Sequence, residues 1–168
     1  MENQPIFSDP IQPGYAGFWR RFAASFIDGI VLWLIQVVLI SPLLSRLGII
    51  PVVEPVEIND LSDEEKIRYF FSILPVVKSL LLTMAITGWL YYALLESSIR
   101  QSTIGKMAIG LFVTDEEGHR ISFARASARY FGKYLSSLTL LIGYIMAGFT
   151  AKKQALHDKI AKTLVWKK

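Results

Sequence analysis

Three apolar stretches punctuate the chain, and their lengths set the first expectations. Residues 22–40, FAASFIDGIVLWLIQVVLI, carry only Ser25, Asp28 and Gln36 as polar side chains. About 20 such residues cross a hydrocarbon core of about 30 Å as a helix. A first span is therefore predicted over residues 18–40, with Pro42 as its stop. A second is predicted over 74–95, LPVVKSLLLTMAITGWLYYALL, where Trp89, Tyr91 and Tyr92 gather near one end as an interfacial aromatic belt does. The third stretch, LSSLTLLIGYIMAGFT at 135–150, would reach only about 24 Å and contains Gly143 and Gly148. A broken or re-entrant segment over 134–151 is expected there rather than a plain crossing.

Composition agrees with this pattern. Hydrophobic residues make up 52% of the 168 and charged residues 19%, against about 25% charged in a soluble domain; the mean hydropathy is +0.40. A small integral membrane protein follows. Without cysteine there is no disulfide framework and no thiol nucleophile. The N-terminal tail, 1–17, lacks a basic n-region and an A-x-A-like cleavage site, so the first span reads as a retained anchor. The net charge of +4 arises from bases beside the hydrophobic segments. Anionic lipid headgroups are their expected partner, and nucleic acid is not.

Charge placement predicts an orientation. The 41–73 loop holds Glu54, Glu57, Asp60, Asp63, Glu64 and Glu65 against Arg46, Lys66 and Arg68, which places it outside the cell. The basic region 96–133 and the basic tail 152–168 then fall inside, giving a multi-pass plasma-membrane protein with both termini cytoplasmic. The stretch MAIGLFVTDEEGHRISF has β-branched and aromatic residues around a turn containing Gly118, the mark of a β-hairpin. A strand at 163–166 would support it. The expected fold is a single α-helical membrane domain of two full spans, a third broken or re-entrant segment, and a small cytoplasmic β-hairpin joined by the C-terminal strand.

Polar residues inside this frame are the candidates for function. An acid at the centre of a membrane helix costs about 2.5–3.5 kcal/mol, so Asp28 needs a partner or a wet cavity. Arg21, seven positions earlier, lies within about 20° of the same helix face at a rise of about 10.5 Å, a gap that a third group would bridge. Asp28 serves either as an ion or proton site or as a clip between helices. Gln36 can hydrogen-bond across helices. Lys78 is expected to snorkel, and Glu96 to sit at the interface.

QSTIGKMAIG lacks the first glycine and the Ser/Thr of a phosphate-binding loop. Its Lys106 faces either headgroups or a buried carboxylate. Arg125, Arg129 and Lys133 repeat at every fourth residue and predict a lipid-facing basic stripe on an interfacial helix. His157 beside Asp158 suits proton coupling. No metal-ligand spacing, cofactor motif or paired catalytic set is present, so neither a metal, a cofactor nor an enzyme is expected.

Three stretches in order, YAGFWRRFAASFIDGIVL, STIGKMAIGLFVTDEEGHRISFARASARY and FTAKKQALHDKIAKTLVW, resemble the RDD family of small membrane proteins, named for one arginine and two aspartates. The resemblance covers most of the chain outside the 41–73 loop and the second span. It implies that Arg21, Asp28 and Asp158 form one constellation, and it brings the suggestion of cation/proton antiport made for some members. Two functions compete. One is an oligomeric transporter coupling a cation or small solute to protons. The other is a non-transporting assembly or regulatory subunit that binds lipid or a membrane partner protein.

Overall fold

A computed structural model describes residues 14–49, 56–57, 61–138 and 142–168. The chain divides into two units, one running to Val31 and resuming at Trp89, the other being Leu32–Gly88. Among the described residues, two helices are long and apolar enough to cross a membrane. The first begins as α1, Phe18–Ile35, passes through a π-helical turn, Gln36–Ile40, and ends as α2, Ser41–Arg46. Pro42 therefore does not stop it. Proline cannot donate to the fourth carbonyl before it, and the chain answers with a wider turn in which Ser41 N–H donates to Gln36 O.

The second long helix, α3, is Asp63–Glu96, so it starts well before the predicted 74. Ser62 and Glu65 cap it reciprocally: Ser62 N donates to Glu65 Oε2 at 2.8 Å, and Glu65 N to Ser62 Oγ at 3.4 Å. Asp63, Glu64 and Glu65 fill its first turn, where the helix dipole favours acids. Acids that read as loop in the sequence are the helix start; Glu54 and Asp60 of the same loop lie outside the described residues. Lys78 is exposed well inside α3 rather than near its end. Within this unit Gln36 is buried and donates to Thr83 Oγ1 at 2.9 Å, the interhelical bond expected of it.

The other unit surrounds a two-stranded antiparallel sheet, β1 (Leu111–Asp115) against β2 (Thr163–Lys167), with Val113 opposite Val165. Its core is Ala16, Ala24, Ala93, Leu111, Val113, Ile121, Ala126 and Val165. The predicted hairpin is corrected here. Asp115 N donates to His119 O at 3.0 Å, but Ser122 Oγ then accepts from Arg125 N at 3.2 Å and opens a helix, so the return arm never becomes a strand. β2 takes its place beside β1. The far edge of β2 receives the segment before α1, with Ala16 N donating to Val165 O at 2.8 Å. The far edge of β1 receives Gln101, through Val113 N to Gln101 O at 2.8 Å.

Among the described residues this unit has four further helices: α4 (Ile104–Ala108), α5 (Phe123–Leu138), α6 (Ile142–Phe149) and α7 (Leu156–Ile160). The third apolar stretch is thus divided between the end of α5 and α6, with 139–141 outside the described residues. α6 lies back along α5, since Tyr144 Oη donates to Lys133 O at 3.0 Å. Gly143 makes this approach possible: a Cβ there would come 2.8 Å from Ser136 Cβ.

Candidate functional site

One face of α1 carries Arg21, Ala24 and Asp28 inward. The Arg21 guanidinium forks between three acceptors, donating from Nε to Ala16 O at 2.8 Å, from Nη2 to Lys153 O at 2.6 Å, and from Nη1 to the Asp158 carboxylate. Asp158 is wholly buried in the first turn of α7, where its Oδ2 also accepts from Ala155 N at 3.0 Å. Its Oδ1 stands 3.1 Å from Arg129 Nη2 of α5. Burial alone would raise the Asp158 carboxyl, but Arg129 and Arg21 outweigh it and hold the group well below the usual carboxylate range.

Arg129 carries the network onward. It is 2% exposed, with Nε 3.7 Å from Glu96 Oε2. Glu96, 1% exposed at the end of α3, is ion-paired through Oε1 with Lys106 Nζ of α4. Each buried cation offsets part of the desolvation of the carboxylate beside it, and removing one partner would leave the other charge buried and uncompensated. Lys133, one turn beyond Arg129 on α5, stands 3.3 Å from the Tyr92 ring centroid and makes no ion pair among the described residues. Burial pushes its ammonium down to about 7, with Glu96 opposing and Lys106 and Arg129 adding to the shift. Among the described residues, Arg21, Lys106 and Arg129 pair with the two carboxylates of Glu96 and Asp158, while Lys133 lies near the rings of Tyr92 and Tyr130.

Asp28 is satisfied differently. It is wholly buried, and its Oδ2 accepts from Thr103 Oγ1 at 2.6 Å while Oδ1 accepts from Gly105 N and Tyr91 Oη, both at 2.7 Å. Two of these donors come from the start of α4, where Thr103 also caps the helix by accepting from Lys106 N. Gly105 is required at this crossing, because a Cβ would lie 2.2 Å from Ala24 O and 2.8 Å from Asp28 Cγ.

The structure thus brings Arg21 and Asp158 together and sets Asp28 among neutral donors of its own. Lys106 faces a buried carboxylate, one of its two readings. Gln36 lies in the other unit.

Three expectations change. Arg129 and Lys133 do not form a lipid-facing stripe with Arg125: Arg129 is buried in the network, Lys133 lies over Tyr92, and Arg125 pairs with Asp115 at 3.2 Å. α5 turns this basic row inward because the carboxylates of Glu96 and Asp158 are there to receive it. Glu96 is buried rather than interfacial for the same reason. His157 lies between Ser136 Oγ, 3.2 Å from Nδ1, and Asp158 Oδ1, 3.5 Å from Nε2. Burial pushes it down to about 3, so it stays neutral where proton coupling would need it to titrate. Thr103 and Gly105 escaped the sequence reading, which set Glu96 at the interface and Tyr91 in an aromatic belt. The one hint was an acid closing an apolar helix just upstream of a buried lysine's turn.

The polar network ties the start of the first long apolar helix to the segments that follow the second, and two helices of that length and apolarity suit a helical membrane protein. The chain belongs to the RDD family, whose pattern it matches over residues 15–162. It is 38% identical over 150 residues to the uncharacterized protein YxaI of Bacillus subtilis (strain 168), covering 89% of this chain and 95% of that protein. It is 31% identical over 163 residues to the uncharacterized membrane protein YteJ of the same organism, covering 96% and 86% respectively. No solved structure matches.

Proposed function

We propose that the chain is a membrane-embedded assembly or regulatory module in which Arg21, Asp28 and Asp158 lock the fold and carry no solute. One observation supports this above others: each of the three buried carboxylates, Asp28, Glu96 and Asp158, is already faced by donors or cations of the chain. Asp28 accepts three hydrogen bonds, Glu96 faces Lys106 and Arg129, and Asp158 faces Arg21, Arg129 and Ala155 N–H. A cation would have to displace those donors before it gained a ligand. The most apolar stretch of α3 buries none of its residues within the chain, which leaves that surface for lipid, a second copy or a partner protein. The β1–β2 pairing requires residues 111–115 and 163–167 on one side of the bilayer. Together with the positive-inside rule, that pairing supports a cytoplasmic C-terminus and a re-entrant segment over 134–151.

The deciding experiment reconstitutes the purified protein in liposomes beside the Asp28→Asn variant. A lock predicts no gradient-driven proton or cation exchange from either, and less folded variant in the membrane. Exchange by the native protein that Asp28→Asn abolishes would overturn the proposal in favour of proton-coupled transport. That second reading draws on one feature: Arg129 Nε and Nη1 and Asp158 Oδ1 are buried without a hydrogen-bond partner among the described residues, as the wall of a small polar site would be.

A further inference from the structure

The start of α1 and the end of α6 enclose an open groove of about 640 Å³, away from the charge network. Its lining combines Arg20, Lys153 and Lys167 with Trp19, Ile145 and Phe149, and contains no carboxylate. None of the three cations makes an ion pair among the described residues, whereas the adjacent Lys152 reaches Glu116 at 3.9 Å. The surrounding chain makes room for them. Lys167 lies over Gly14, where a Cβ would come 2.5 Å from its Cε, and Lys153 lies over Gly17, where a Cβ would come 3.7 Å from its Nζ. Lys153 sits at φ 47°, a conformation rarely adopted by L-residues, and Arg21 Nη2 holds its carbonyl at 2.6 Å. The family arginine therefore also fixes where this lysine points. Trp19 and Phe149 are 77% and 87% exposed, too apolar for water and well suited to the headgroup level at which the first span begins.

We propose that this groove binds the headgroup of an anionic phospholipid, with the phosphate among Arg20, Lys153 and Lys167 and the glycerol end of the acyl chains against Ile145 and Phe149. Charge complementarity and position at the start of a span select this occupant. The inference does not depend on the lock described above and would survive its failure. The test is native mass spectrometry of the full chain in detergent, titrated with phosphatidylglycerol or phosphatidylcholine. Each basic residue at an anionic surface is worth about fivefold, so one phosphatidylglycerol should bind at least about tenfold tighter than phosphatidylcholine. Arg20→Gln/Lys153→Gln/Lys167→Gln should abolish that preference, while Lys159→Gln/Lys162→Gln/Lys168→Gln, with the same net charge, should keep it. Single Lys153→Gln and Lys167→Gln variants, each on an exposed side chain, should show intermediate losses in protein of native helical content. Equal binding of the two lipids, a preference that survives in the groove variant, or equal loss in both triple variants would overturn the assignment.

Discussion

Gly105→Ala tests the crossing of α4 over α1 with a single methyl group. The new Cβ would stand 2.2 Å from Ala24 O and 2.8 Å from both Asp28 N and Cγ. The first contact is more than about 1 Å inside van der Waals distance. Two of the three atoms are backbone of a long helix, so α4 must move. Its movement breaks the 2.7 Å bond from Gly105 N to Asp28 and strains that from Thr103. Overpacking costs about 1–3 kcal/mol, and a hydrogen bond to a carboxylate about 1.5–3 kcal/mol. Alanine returns about 1 kcal/mol of helix propensity, leaving a net loss of about 2–5 kcal/mol. In a chain of this size that lowers the unfolding midpoint by about 4–20 °C, read from the loss of helical circular dichroism in detergent. Gly29→Ala is the control, because its Cβ meets nothing within 4 Å; it should be neutral or stabilising by up to about 1 kcal/mol. Gly105→Ala melting within about 2 °C of the native protein would refute the close approach and the role of Asp28 built on it.

The remaining predictions concern the charges. Glu96→Gln strips Lys106 and Arg129 of a shared buried counter-charge and should cost about 3–5 kcal/mol. Adding Lys106→Met should recover part of the loss, and a double variant no more stable than the single one would mean the pair is not coupled. For Lys133 the folded ammonium titrates at about 7 and the unfolded one near the ordinary value of about 10.4. The unfolded chain therefore binds more protons between those values, and this residue's contribution makes stability rise with pH across that window, the slope vanishing below about pH 7. Lys133→Met should flatten the unfolding midpoint between pH 7 and 10; an unchanged slope would take Lys133 out of the linkage.

Much of this fold is written along the chain in one dimension. Apolar runs of span length announce both long helices, since a helix satisfies its own backbone bonds and needs only enough greasy residues to be content in lipid. Helical phase sets Arg21, Ala24 and Asp28 on one face, and the structure turns that face inward. The β character of residues 111–115 and 163–167 is equally plain in their composition. Which strand pairs with which is not, because pairing depends on what closes each backbone edge in space. Ser122 ends the hairpin by capping α5, and the C-terminal strand takes the vacant edge. The partners of each charge belong to the same category. Periodicity shows that Arg125, Arg129 and Lys133 share a stripe, but only folding decides whether it meets headgroups or the buried Glu96 and Asp158. Desolvation and Coulomb attraction act between residues that sequence order holds far apart. Sequence by itself thus determined the long apolar helices and the residues too costly to leave alone in them, while tertiary structure decided that Arg21 answers Asp158, that neutral donors answer Asp28, and that Lys133 lies against the rings of Tyr92 and Tyr130.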